Sequence, residues 1–193
     1  MSIDIKKPYF EAWKIYEALK NNELFVITSC SSKKIWDITN YNEKTCLAED
    51  VYRGQLFNLF RTFYSICLDY MKINKLNWNI LSAKYGLIDP KTQIENYNVT
   101  FSKKYSENNE YVSIEKVKEQ FDKIYDDLHF KTVLVWGGGN YVKYIKTIWS
   151  YKKYNDLILI TPFEGYRIGE CLKAGMLLNG EFLLRIEKER DKK

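Results

Sequence analysis

The chain has 193 residues, 46% hydrophobic and 28% charged, with 30 basic against 25 acidic side chains and a formal net charge of +5. That balance suits a soluble globular protein with one substantial core and excludes extended disorder. So small a basic excess cannot hold a polynucleotide by bulk charge, and any such attraction must come from local clustering.

Tyr9, Phe10, Trp13, Tyr16 and Leu19 recur at helical spacing and predict an amphipathic helix over 8–21 that covers a sheet. Leu24 to Thr28 is a short apolar run typical of a buried strand, and it empties into the polar stretch Ser29-Cys30-Ser31-Ser32-Lys33-Lys34. Leu56, Phe60, Phe63, Cys67 and Met71 mark one long helix from about Asp50 to Ile73. Trp78 to Leu81 predicts a second strand, followed at once by Ser82-Ala83-Lys84-Tyr85-Gly86 and a turn at Asp89-Pro90.

Residues 92–111 are polar and rich in Asn and Tyr, and predict a surface excursion able to serve as a lid. Ile114, Val117, Phe121, Ile124, Tyr125 and Leu128 give the next helix, with Ser113 as its N-cap and Glu115 in its first turn. Thr132 to Trp136 is a third strand, Gly137-Gly138-Gly139 a tight loop, and Val142, Ile145, Ile148 and Trp149 one face of the following helix. Leu157 to Thr161 is a fourth strand leading through Pro162-Phe163-Glu164-Gly165 into a helix carrying Ile168, Leu172 and Met176. Phe182 to Ile186 are expected to add an edge strand before a charged tail. Repeated strand-loop-helix units without internal repeat or linker predict a single α/β domain over 1–193. It is expected to be three-layered and Rossmann-like, with a mainly parallel four- or five-stranded sheet.

Cys30, Cys46, Cys67 and Cys171 are widely scattered, lack paired metal-ligand spacing, and come without a leading apolar export signal. A cytoplasmic setting fits them. No apolar run approaches the ~18 residues of a membrane span. His129 is the only histidine, which removes most zinc-enzyme and Ser-His-Asp schemes, so neither metal nor cofactor is expected.

Open α/β sheets bind ligands beyond the carboxyl ends of their strands, where loops and helix N-termini present free N–H groups. Four stretches meet that description: 29–34, 82–86, 137–140 and 162–169. Ser31, Ser32 and Lys33 are candidate anion contacts, or else members of a solvated loop whose serines make local turns. Ser82, Lys84, Tyr85 and Gly86 repeat the theme of hydroxyl and cation after a buried strand. Gly138 and Gly139 belong to a turn that lacks both the phosphate-loop Lys and the full dinucleotide fingerprint. Glu164, beside Gly165 and near Gly169, either meets a ribose hydroxyl or activates water as a general base, or it merely caps a helix or pairs with a cation. Cys30 is a nucleophile if Lys33 and Lys34 activate it, and otherwise a structural or ligand-lining thiol. Asp50, Tyr52, Arg53 and Arg61 surround the start of the long helix, and Glu95 and Tyr97 are positioned to close over a ligand or face solvent.

The strings Thr28 to Lys34, Asp50-Val51-Tyr52, Ile80 to Pro90 and Ile94-Glu95-Asn96-Tyr97, with Pro162 to Gly169, resemble a prokaryotic domain family of unknown function. The resemblance runs from about residue 24 to 178, and Ser-Ala-Lys-Tyr-Gly-Leu is its most specific part. The family is similar in motif style to the peroxide-stress YaaA proteins and to a domain of archaeosine synthase. The resemblance implies a shared site of Ser31, Lys33, Ser82, Lys84, Gly86, Glu164 and Gly169, in a context of DNA protection, nucleobase modification and glycosidic-bond chemistry.

The first expectation is therefore a nucleotide- or nucleic-acid-directed enzyme, an N-glycosidic hydrolase or transferase. In it Glu164 positions water, Lys33 and Lys84 hold phosphate, and Tyr85, Phe163 and Tyr166 stack on a base. The alternative is a non-catalytic nucleotide- or DNA-binding module in stress response or defence. A structural or protein-interaction domain is the third.

Overall fold

Every side chain of the strand Leu24–Ser29 (β1) is buried, because both faces of the sheet it centres are covered. Leu24 and Val26 join one apolar cluster, and Phe25 and Ile27 join another on the opposite face. This is the two-residue alternation of a strand expressed as two cores. The computed structural model describes residues 6–38, 40–101, 111–150 and 154–191, with side chains from Glu11 onward; the side chains of Tyr9 and Phe10 lie outside these.

In chain order the elements are α1 (Lys6–Lys20), β1, β2 (Thr45–Leu47), α2 (Ala48–Val51), α3 (Gln55–Met71), β3 (Asn77–Ser82), β4 (Gly86–Ile88), β5 (Gln93–Glu95), α4 (Ile114–Leu128), β6 (Thr132–Trp136), α5 (Gly139–Trp149), β7 (Ile158–Ile160) and α6 (Ile168–Arg190). The five-stranded sheet has the order β4-β3-β1-β6-β7, with β4 antiparallel and the others parallel. β2 and β5 form a small separate antiparallel pair. Side chains of α1, α3 and α6 pack on one face and those of α4 and α5 on the other, giving the expected three-layer, Rossmann-like α/β architecture. No helix among the described residues is long and apolar enough to cross a membrane.

Two expectations about helices are corrected. The long helix from Asp50 to Ile73 is two, α2 and α3, separated at Tyr52-Arg53-Gly54. Phe182 to Ile186 do not form an edge strand, since they lie within α6. Cys171, Ala174, Leu178, Phe182 and Ile186 recur at three and four residues and are buried, whereas Ile168 and Met176 are exposed. The apolar period therefore continues through Phe182, which meets Phe63 of α3 and Tyr16 of α1 at ring separations of 5.0 and 6.2 Å. The fifth strand is instead β4, formed where the chain turns back at Gly86. There φ is +80°, and a β-carbon would lie 2.1 Å from Gln120 Oε1.

Phe182→Ala is expected to lower stability by about 3–5 kcal/mol, the range for truncating a buried aromatic. Met176→Ala should stay within about 0.5 kcal/mol, as surface changes usually do. Urea unfolding checks both.

Candidate functional site

β1 and β6 are neighbours, yet β1 leads to α3 on one face and β6 to α5 on the other. Where adjacent parallel strands send their connections to opposite faces, a crevice opens at their carboxyl ends. A cleft of about 680 Å³ is found there, bounded by Ser29 to Ser32 and Lys34 after β1, Gly138 and Tyr141 after β6, and Gly54 to Phe57 at the start of α3. Asn98, Val99, Thr100 and Ile168 complete it.

The β1 loop is held by the break between α2 and α3. Arg53 N–H donates to Lys33 O at 2.9 Å, Gly54 N–H donates to Ser31 Oγ at 3.0 Å, and Lys34 pairs with Tyr52 in an isolated antiparallel bridge. Ser31 Oγ in turn donates to Lys33 O at 2.7 Å. Only glycine fits at 54, because a β-carbon there would lie 2.5 Å from Ser31 Cβ.

Beneath the loop runs a chain of buried hydroxyls. The backbone N–H groups of Lys84 and Tyr85 both point to Ser82 Oγ at 3.2 Å, which occupies both of its lone pairs. The Ser82 hydrogen must then go to Tyr97 Oη, 2.8 Å away, and Tyr97 and Tyr52 share a further hydrogen bond of 2.7 Å between their hydroxyls. Cys30 Sγ lies 3.1 Å from Tyr141 Oη. Burial, reinforced by the nearby Cys30, pushes the Tyr52, Tyr97 and Tyr141 hydroxyls well above the ordinary tyrosine range, so all three are neutral donors at physiological pH. Lys34, only 5% exposed, has its pKa lowered by desolvation, against the opposing pull of Cys30 and Asp37. Its Nζ donates to Ser32 O at 3.2 Å and sits 4.6 Å from the Tyr97 ring centroid.

Of the residues expected from sequence, Cys30, Ser31, Ser32 and Gly138 line the cleft. Ser31 faces it with a hydroxyl already engaged in the loop clamp. Ser82 lies below as a network member, and Gly86 and Tyr85 are tied to Gln120, whose Nε2 donates to Tyr85 O at 3.1 Å. Lys33, Lys84, Gly139, Gly165 and Gly169 are exposed around the strand ends. Lys84 Nζ lies 5.1 Å from the Tyr85 ring. Glu164 is outside the cleft lining, bonded to Lys146 Nζ at 2.5 Å and to Thr161 Oγ1 at 3.0 Å. Glu95 is exposed and paired with Lys44 at 3.4 Å, and Arg61 donates to Glu49 O.

Two further expectations are corrected. Phe163 is fully buried, edge-on to Trp136 at 5.1 Å, and presents no stacking surface. The 92–111 stretch is not a purely solvated excursion, since Ile94 is buried within β5 and Tyr97 is anchored by two hydroxyls; residues 102–110 lie outside those described. Sequence reading missed Tyr141 altogether and preferred Lys33 to its buried neighbour Lys34. The helical position of Tyr141, one turn after Gly137 at the cleft, is a signal that could have found it.

The tyrosines set a direction for alkaline stability. Near pH 10 the unfolded chain begins to shed its phenolic protons, while Tyr52, Tyr97 and Tyr141 keep theirs in the fold, as does Tyr144, pushed up to about 12 by burial. The folded state then binds more protons, and stability falls as pH rises. Lys34, shifted down, acts oppositely below its ordinary value of 10.5, but the tyrosines outnumber it. Denaturant unfolding between pH 7 and 11 should show stability beginning to fall above about pH 8.5, where unfolded thiols ionise but buried Cys67 and Cys171 do not. It should fall more steeply above about pH 10, with that second drop shallower in Tyr97→Phe.

The chain is 29% identical to the uncharacterised protein YfjM of Bacillus subtilis strain 168 over 151 residues, 77% of this chain and 89% of that protein. Residues 25–174, from within β1 through the first turns of α6, match a family described as a family of unknown function, DUF6884. That span contains every loop and helix start lining the cleft, and the chain belongs to this family.

Proposed function

We propose that the cleft takes a nucleotide, either free or as one unit of a nucleic-acid strand. The observation that supports this reading is the mixed lining of the cleft at the switch point between β1 and β6. Ser32, Lys34 and the N-terminus of α5 at Gly138 contribute polar groups, and Leu56, Phe57, Val99 and Ile168 apolar ones. An anion suits the first set and a flat apolar ring the second. The likeness in motif style to YaaA proteins and the archaeosine synthase domain supports a nucleic-acid context.

Gly138→Ala tests this without disturbing the fold. Its φ of −75° is ordinary, and a β-carbon there meets nothing within 4 Å. The expected result is an unchanged urea midpoint with roughly tenfold weaker dAMP binding by calorimetry, about one decade of affinity for a crowded anion subsite. Failure of the wild type to bind any mononucleotide at millimolar concentration would sink the reading.

A second reading, N-glycosidic hydrolysis or base transfer, is favoured by the reactive groups on the cleft floor. Tyr141 Oη, 3.1 Å from Cys30 Sγ, offers a hydrogen bond to a departing base, and Cys30 is the nucleophile beside it. Glu164, held by Lys146 and Thr161 outside the cleft lining, keeps lone pairs free for a water. Mass spectrometry of bases released from nucleotides, DNA and RNA should show release by wild type and a loss of about a hundredfold or more in Tyr141→Phe. An unchanged rate in Glu164→Gln would restrict that carboxylate to holding its turn, and no release by wild type would leave the binding module.

A further inference from the structure

A second cleft of about 420 Å³ adjoins the first and is lined by Ser32, Lys34, Asp37, Asn96, Tyr97 and Asn98. Ser32, Lys34 and Asn98 line both, so the two form one groove with Lys34 at its waist. The compartments differ in chemistry. The larger carries the apolar walls, and the smaller offers two Asn amides and a carboxylate.

Lys34 is a cation taken almost wholly out of water. An ammonium has three N–H donors, and Ser32 O accepts one of them. The Tyr97 ring holds the nitrogen from one side, while the Asp37 carboxylate accepts from the Lys34 backbone N–H at 2.7 Å. Donors on a nearly buried cation therefore remain available where the clefts meet, and a desolvated charge of this kind is stabilised chiefly by a hydrogen-bonded counter-charge.

We propose that the groove holds two consecutive nucleotides of a single strand, with the 3′,5′-phosphodiester between them on Lys34. This rests on the nucleotide reading above and adds a register to it. One base and sugar lie in the larger cleft against Leu56, Phe57, Val99 and Ile168. The next nucleotide presents its polar edges to Asn96, Asn98 and Asp37. One buried ammonium matches the single charge of a phosphodiester, whereas a pyrophosphate link brings a second charge toward Asp37. A duplex is too broad to reach into a groove around a side chain as buried as Lys34, whereas a single strand can lie along it.

The test is calorimetric titration of the full chain with dAMP, 5′-phosphorylated d(ApA), diadenosine diphosphate and a 20-base-pair duplex. The dinucleotide is expected to bind about tenfold tighter than dAMP, one decade of affinity for the added phosphate contact. Lys34→Met should weaken the dinucleotide about tenfold more than it weakens dAMP, erasing that advantage. Diadenosine diphosphate and the duplex should bind no better than dAMP. A wild-type readout covers the case of a variant that does not fold: the plot of log affinity against log salt should be steeper for the dinucleotide by about 0.7, one released counterion on a single strand. Equal affinity and equal salt slope for dAMP and the dinucleotide would overturn the register while leaving the nucleotide reading standing. Tightest binding to the pyrophosphate-linked compound or the duplex, or equal loss of both ligands in Lys34→Met, would also overturn it. No binding of any of the four by wild type would remove both.

Discussion

The site depends on a helix that is interrupted. Had α2 run on into α3, the N–H groups of Arg53 and Gly54 would have bonded to carbonyls one turn back within the helix. The break frees them for Lys33 O and Ser31 Oγ, which fixes a loop that would otherwise rest on its own turns. The same three residues place Tyr52 beneath the loop and start α3 at Gln55, so that Leu56 and Phe57 become a wall of the cleft. Loop position, hydroxyl network and apolar wall share one cause.

The polar groups beneath the loop fall into two kinds. Ser82, Tyr97 and Tyr52 satisfy one another in sequence, anchored by two backbone amides. Each such bond contributes about 0.5–1.5 kcal/mol, and leaving a buried member without its partner costs about 1–3 kcal/mol. That network is stabilising because each of its three oxygens has a partner. Lys34 is the contrary case, a buried cation whose desolvation lowers its pKa. Its place beside the cleft is a cost to stability that the proposed phosphate contact would offset.

The sheet and its helices were largely legible in the sequence because their apolar periods are uninterrupted. β1, β3, β6 and α4 fall where alternation, helical spacing and the Ser113 cap place them. The misreadings arose where tertiary contacts overrode a local pattern. The apolar spacing of α3 extends backward far enough to suggest a helix from Asp50, and nothing local announces that Tyr52 will pair with Lys34 instead. Phe182 to Ile186 contain enough apolar residues for either a strand or a helix turn, and the decision came from Tyr16 and Phe63 across the core. Loop residues at the strand ends were found by position alone. Which of two adjacent lysines turns inward was not legible, because it is set by the bridge to Tyr52 and by the Tyr97 ring, 63 residues further along the chain.

The deep burial of β1 has an evolutionary consequence. Its side chains alternate between two packed cores, so inserting or deleting one residue within it would exchange the two sets and empty both. The same slip would replace the thiol that lines the cleft by a neighbouring hydroxyl. New chemistry is thus open to substitution at positions 30 and 32, beyond the strand and outside the Ser31 clamp, but length variation is confined to the loops beyond.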